Sequence, residues 1–310
     1  MSDMFTLPVL LGVIYSGIRL ATPYLYAALG ETFSQRSGVL NLGVDGMMLM
    51  GAFSAYYVVN QTGNLWLGLL VAAGVGLLMG LLMAVVSITF QATQGISGIG
   101  VYMVGLGLSS LLFSVSPLSI KAISGFSPIK IPLLGDIPYI GEVLFQHNIL
   151  VYSAYLLVPI GWWVLNKTTF GLKVRAVGQN PQAADSLGIN VAGIRYITVS
   201  LGGLLAGIAG ASLSISIINL FQENMTSGMG FIAVALVYFG GWRPVGVLFG
   251  SLLFSFINAL QMWMQVKGVN IPSDLAVMMP YILTIVTLAF ASNQVRKPAA
   301  LTKAFERSDN

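Results

Sequence analysis

Apolar runs of about 20 residues, the length that crosses the hydrocarbon core of a bilayer, recur from one end of this chain to the other. They are continuous rather than alternating, so they read as helices and not as barrel strands. Composition agrees. Hydrophobic residues make up 56% and charged residues 8%, against about 25% charged in soluble domains. The 36 glycines suit helices that pack closely in a membrane. With no cysteine, disulfides and cysteine metal sites are excluded. The net charge of +4 requires no nucleic-acid partner; an excess of Lys and Arg on the inner side of a membrane produces it. No cleavable signal peptide is expected, because a basic leader is missing and the first apolar stretch is long enough to span.

The fold class read from this pattern is an all-α polytopic membrane protein. Nine spans are expected, within a range of eight to ten: 7–29, 39–59, 65–90, 98–116, 148–165, 196–218, 228–240, 245–264 and 275–292. The seventh is short enough for a half-helix or re-entrant segment. Gly43 and Gly46 interrupt the second. Placing 166–195 inside puts ten basic residues inside (Arg36, Lys167, Lys173, Arg175, Arg195, Arg243, Arg296, Lys297, Lys303, Arg307) and three outside (Lys121, Lys130, Lys267). The positive-inside rule then sets the N-terminus out and the C-terminus in. Loop 117–147 is expected to lie along the outer surface. Residues 1–295 read as one transmembrane domain and 296–310 as a mobile basic tail on the cytoplasmic side.

The most informative stretch is a charged island, Asn166 to Arg195, which holds four of the chain's 14 Lys and Arg residues. Asn180 suits a helix N-cap, Pro181 the first turn and Gly188 the stop. A short exposed helix from Pro181 to Leu187 is expected, flanked by Lys173, Arg175 and Arg195. A structured knob on the inner side suits a protein that something in the cytoplasm must push.

The second stretch is Glu31 to Phe53. Asp45 is the one carboxylate that these spans place inside the membrane, where it should face the bundle interior. Asn41 is one turn away if the helix is continuous. Gly43 and Gly46 offer a place to unwind and expose backbone to a cavity. Two readings stand: a substrate path, or a polar lock in which Asp45 caps a broken helix or pairs with Arg36 or Arg19.

The third stretch, Ser227 to Gln261, has a short apolar helix ending at Gly240-Gly241, then Arg243-Pro244 opening the next. Phe231, Tyr238, Phe239 and Trp242 are available for stacking, although packing or lipid contact is the commoner use of each. Trp242 fits an interfacial belt. His147 reads as a surface residue, Arg19 as snorkelling or paired, and Pro23, Pro159 and Pro280 as helix kinks. The chain has no phosphate loop, no His-Glu-x-x-His, no Gly-x-Ser-x-Gly and no carboxylate or histidine cluster for metal or acid–base chemistry. It is not expected to be an enzyme.

Phe170-Gly-Leu-Lys-Val-Arg-Ala-Val-Gly-Gln-Asn-Pro-Gln-Ala-Ala-Asp-Ser-Leu-Gly-Ile resembles the cytoplasmic coupling segment of ABC importer permeases of the branched-chain amino acid, ribose and nucleoside group. Ser37-Gly-Val-Leu-Asn-Leu-Gly-Val-Asp-Gly-Met-Met resembles the group's second-span motif. Gly230-Phe-Ile-Ala-Val-Ala and Gly240-Gly-Trp-Arg-Pro-Val-Gly resemble its C-terminal half. The resemblance covers about 15–295 and is nearest the simple-sugar and purine-nucleoside permeases, whose transmembrane unit is usually two different chains; this one has the length of the shorter. Tyr238-Phe239 departs from the group, where small or aliphatic residues are commoner.

The resemblance implies a multi-pass protein of the bacterial inner membrane. Its implied partners are an ABC ATPase, a second and longer permease, and an external binding protein or lipoprotein. ATP and Mg would sit on the ATPase. Gly178, Asn180, Pro181, Ala183, Ala184, Asp185, Leu187 and Gly188 would form the coupling segment, with Ala184 against the ATPase groove. Asn41, Asp45, Phe231 and Tyr238 are the candidate substrate path. Nucleoside is preferred as substrate, then a ribose-type sugar, then a branched-chain amino acid. The competing class is a stand-alone channel or secondary carrier, against which the docking knob argues; an intramembrane enzyme lacks any catalytic constellation.

Overall fold

The spacing Gly202-Gly203, Gly207, Gly210 on one helix decides how the bundle packs. That helix, here α9 (Val191–Ser212), continues into a π-helical turn, Leu213–Ile217. It lies between α1 (Leu7–Arg36), α2 (Val44–Thr62) and α3 (Leu65–Ala84). A Cβ built on Gly207 would run into Ala72 O of α3; one on Gly210 would run into Met48 O of α2. On the α1 side, a Cβ on Gly30 would lie 3.0 Å from Gly202 O. In lipid no hydrophobic driving force draws one apolar helix to another, so close backbone contact of this kind carries the association.

The computed structural model describes residues 7–116, 121–132, 134–267 and 297–306, with Met278, Ile282 and Val286 as isolated helical positions. Beyond the four central helices come α4 (Gln94–Val115), the two-residue strands β1 (Ile129–Lys130) and β2 (Gln146–His147), and α5 (Ile140–Leu144) between them. Then follow α6 (Ile149–Lys167), α7 (Thr169–Gln179), α8 (Pro181–Ser186), and, after α9, α10 (Met229–Phe239) and α11 (Pro244–Val266).

Among the described residues, six helices are long and apolar enough to cross a membrane: Leu7–Arg36, Leu65–Thr89, Gln94–Val115, Ile149–Lys167, Val191–Ile217 and Pro244–Val266. The chain is an integral membrane protein with several such helices. Helix α2 is less apolar yet buried from Val44 to Tyr56, because it packs against α9, α3, α4 and α10. A helix enclosed by protein has no need of a lipid-compatible surface. The expected seventh span corresponds to α10, which at 11 residues extends about 16 Å, half the thickness of the core. The expected ninth span, 275–292, lies outside the described residues apart from the three isolated positions.

Several expectations are corrected. The first helix does not stop near residue 29; it runs to Arg36 and buries every residue from Ala21 to Gln35. The second does not begin at 39. Residues 37–43 are non-helical, and Gly43 is the N-cap of α2. Gly46 lies inside the helix, where Tyr102 Cα would sit 2.7 Å from a Cβ; it is a packing residue rather than an unwinding point. His147 is 2% exposed. Its Nε2 bonds Val143 O at 2.9 Å and its ring stacks on Tyr15, and burial holds the imidazole below its usual pKa. The loop before it is anchored to the bundle: Tyr56 Oη donates to Lys121 O at 2.8 Å, and Ile123 N donates to Asn219 O at 3.0 Å. Residues 297–306 do not stand away as a mobile tail, since Ala300 and Leu301 are buried.

The glycine contacts generate a direct test. Gly207→Leu should abolish recovery of monodisperse protein in detergent, because rigid backbone blocks the new side chain; overpacking in a core that can yield costs about 1–3 kcal/mol, and this one cannot yield. Gly74→Leu, which meets nothing within 4 Å, should leave the elution profile and melting temperature unchanged.

Candidate functional site

Three asparagine or threonine caps shape the charged island. Thr168 Oγ1 accepts from Gly171 N at 3.1 Å, Asn180 Oδ1 from Ala183 N at 3.0 Å, and Asn190 Oδ1 from Gly193 N at 2.9 Å. They open α7, α8 and α9, each typically worth about 1 kcal/mol. Pro181 takes the first turn of α8. Gly188, at φ +79°, ends it in the left-handed conformation that glycine adopts without strain. Helix α7, which sequence reasoning did not separate from the loop, is amphipathic: Val174 and Val177 pack with Phe33, Leu165, Val191 and Ile194. Its signal was present in the four-residue step from Phe170 to Val174 and the three-residue step to Val177.

The residues singled out for coupling divide into two groups. Asn180, Ala183, Leu187 and Gly188 are exposed, and Pro181 and Asp185 half-buried. Leu187 is 82% exposed at the tip of the knob. Gly178 and Ala184 are buried. Gly178 packs against Arg36 O, and its own carbonyl accepts from Ala300 N at 2.9 Å. Ala184 belongs to the apolar cluster under α7, so it faces the protein's own core rather than a partner's groove. Arg195 is likewise no membrane-surface flank. At 2% exposure it donates through Nε to Ser37 O at 3.2 Å and through Nη1 to Lys303 O at 3.1 Å.

At the centre of the bundle Asp45 meets neither Arg36 nor Arg19. Its Oδ1 accepts from Gly230 N at 2.7 Å and its Oδ2 from Thr226 Oγ1 at 3.0 Å. The N-cap of α10, Gly228, has no side chain to offer. Asp45 therefore caps α10 from another helix, placing a carboxylate at the positive end of that helix. Arg19 donates through Nη2 to Ser216 O (2.8 Å) and Ile217 O (3.0 Å), the last carbonyls of the π-helical turn. A cation at that terminus is the complementary arrangement. Beside Arg19, a crevice of about 470 Å³ opens between α1 and α11, lined in part by Tyr15, Ser16 and Met262.

Asn41 is not one turn from Asp45 on a shared helix face. It lies in the 37–43 break, where its Oδ1 accepts from Gly43 N at 2.9 Å. Phe231 is 37% exposed and meets Tyr102 edge-on; Tyr238, two turns away, meets Trp242. Asp45 thus meets the residue next to Phe231, whereas Tyr238 lies two turns further along α10. Trp242 is buried rather than interfacial: its Nε1 donates to Gln35 Oε1 at 2.7 Å, and its carbonyl accepts from Arg36 Nε at 2.8 Å.

Sequence reasoning missed Glu31. Its side chain is fully buried, with Oε1 accepting from Gln35 Nε2 and Asn41 N, each at 3.0 Å. The available signal was the Glu31-x-x-x-Gln35 spacing, which aligns both on one face if the helix continues past residue 29.

A helical membrane bundle with an exposed, capped knob at its basic end invites comparison with transporter subunits. The chain matches the family described as branched-chain amino acid transport system / permease component over residues 13–288. It belongs to that family. The permease is 37% identical to a putative glucose ABC transporter permease protein of Haloferax volcanii, which covers 96% of this chain and 98% of the relative. It is 38% identical to a guanosine ABC transporter permease protein of Bacillus subtilis and 35% identical to a nucleoside ABC transporter permease protein of Lactococcus lactis; each comparison covers 90% of this permease and 92% of the relative. No solved structure matches the permease.

The role of Asp45 can be tested by separating stability from transport. Hydrogen bonds to a charged group contribute about 1.5–3 kcal/mol each, so Asp45→Ala should leave little folded protein. Asp45→Asn can still accept from Gly230 N and should melt at a lower temperature in detergent, with transport per folded molecule retained. Unchanged melting with reduced transport would instead place Asp45 on the substrate path.

Proposed function

We propose that this permease is the shorter of two unlike transmembrane subunits in an ATP-driven, binding-protein-dependent importer of nucleosides. The observation that carries the coupling part is the knob: α8 is fixed by Asn180, Pro181 and Gly188, rests on a private apolar cluster through Ala184, and presents Leu187 almost fully exposed. A soluble ATPase that receives Leu187 in an apolar pocket would bury about 0.8 kcal/mol per CH₂. ATP and Mg belong to that ATPase, and this chain supplies no catalytic group. The basic residues around the knob support its placement on the cytoplasmic side, with the N-terminus outside and the C-terminus inside.

The nucleoside assignment is supported by the guanosine and nucleoside permeases among the relatives. A sugar importer is the second reading, favoured by the glucose permease of similar identity. For a second permease chain, support comes from α4, where Gly100 and Gly107 have no neighbour within 4 Å and leave a surface suited to close helix contact. The hydrogen bonds of Asp45 and Asn41 favour structural roles for both, leaving Phe231 and Tyr238 as the candidates to border the path.

In the cycle that follows, a binding protein delivers substrate from outside and the two permeases enclose a route between them. Closure of the ATPases around ATP drives the knob, and the bundle alternates between outward and inward access. Two measurements test this. Labelled guanosine uptake, with glucose and leucine as competitors, should disappear when the gene is deleted with its neighbours intact; loss of glucose uptake instead would select the sugar reading. Leu187→Asp should reduce ATPase co-purification at least tenfold while leaving the permease monodisperse, and normal recovery of the ATPase would remove α8 from the docking role.

A further inference from the structure

The break between α1 and α2 is held by groups from three other parts of the chain. Arg195 Nε donates to Ser37 O, and Thr198 Oγ1 donates to Ser37 Oγ at 2.8 Å. Gln94 Oε1 accepts from Leu40 N at 2.9 Å. From the C-terminal segment, Thr302 N donates to Gly38 O at 3.1 Å. That same segment also reaches α7, through Ala300 N and Gly178 O, and α9, through Lys303 O and Arg195 Nη1. Phe305 extends it into the apolar cluster beneath α7 and α8.

We propose that residues 298–305 are a transmission strap, a positioning element that carries displacement of α7 and α8 to the α1–α2 break during transport. The inference rests on α8 as the ATPase docking point. The first argument is reach. Ala300 and Thr302 are two residues apart, so about 7 Å of extended chain at most joins the two backbone bonds. A strap this short cannot absorb a shift of several ångströms at Gly178; it must either release one bond or drag Gly38 with it.

The second argument is that release is opposed. Arg195 spans the junction with one planar fork, two of its nitrogens reaching carbonyls on opposite sides, the break and the strap. Arg195 Nη2 is already buried without an acceptor, so losing Lys303 O would leave a second nitrogen of the same buried guanidinium unpaired, which is unfavourable in a low-dielectric interior. Lysine cannot reproduce two divergent donors at fixed geometry. The third argument is local conformation. Gly38 has φ +96°, and a Cβ there would sit 3.1 Å from Ala300 O. Thr302, a β-branched residue, is held at φ +67° where it bonds Gly38. Backbone in that region persists where surrounding contacts fix it.

The test uses the complete importer, both permeases with ATPase and binding protein, reconstituted in lipid vesicles. Arg195→Lys and a chain ending before Lys297 are compared with wild type. Each should retain the ATPase and continue to hydrolyse ATP, while substrate moved per ATP falls at least tenfold. If vesicles made from the surviving complexes move the wild-type number of substrates per ATP, the strap is only a fold stabiliser and the proposal is overturned. Should the shortened chain fail to assemble, Arg195→Lys and Leu301→Gly decide the matter by the same ratio. Failure of the docking assignment is read separately, from ATPase retained by Leu187→Asp; a normal ratio in strap variants alongside ATPase loss in Leu187→Asp refutes the strap alone.

Discussion

Close backbone contact around α9 is the constraint on which the remaining structure depends. Met48 O, Ala72 O and Gly202 O approach neighbouring helices with no side chain between. This brings α1, α2 and α3 onto one axis and leaves little lateral freedom. The charged groups in the interior then take the partners that lie where they fall. Asp45 finds the uncapped end of α10, Arg19 the open end of the π-helical turn, and Arg195 two carbonyls at the basic end. Lys130 and Asp136 form an ion pair on the exposed surface. Interior charges are therefore met mainly by backbone dipoles, which are fixed by the helices themselves and need no second side chain.

The sequence made the class and most helix positions legible because apolar length and glycine content are strong signals in a membrane chain. It also gave the α8 punctuation, since caps act over three or four residues. What it left unread were contacts between distant segments. Glu31 and Gln35 lower local hydropathy, so the first span was expected to stop before them, yet they are paired with the break and with Trp242. Ala184 was expected in the ATPase groove because its segment resembles a coupling segment; only the packing of α7 shows that one face of α8 turns inward. Arg195 read as a basic flank by charge alone. Its burial depends on carbonyls at Ser37 and Lys303, more than 100 residues away in each direction.

The proposed coupling role rests on the contrast between the two sides of α7 and α8. Their outward side is short, polar and punctuated, with Leu187 as its apolar tip. Their inward side is joined to α9, to the end of α1 and to the C-terminal segment. A force applied at the tip would therefore meet a stiff support rather than a loose loop, as the proposed coupling to an ATPase requires.

The capping of α10 by Asp45 also bears on biogenesis. This helix is half a membrane thick, begins at a glycine with no side chain, and takes its terminal carboxylate from a residue more than 180 positions earlier. The Met229 and Phe231 amides find local carbonyls, but the Gly230 amide is satisfied by Asp45 of α2, so this bond forms only against a first half that is already in place. The N-terminus of α10 is thus completed by the earlier half of the chain, and its docking requires α2 to present Asp45 in register.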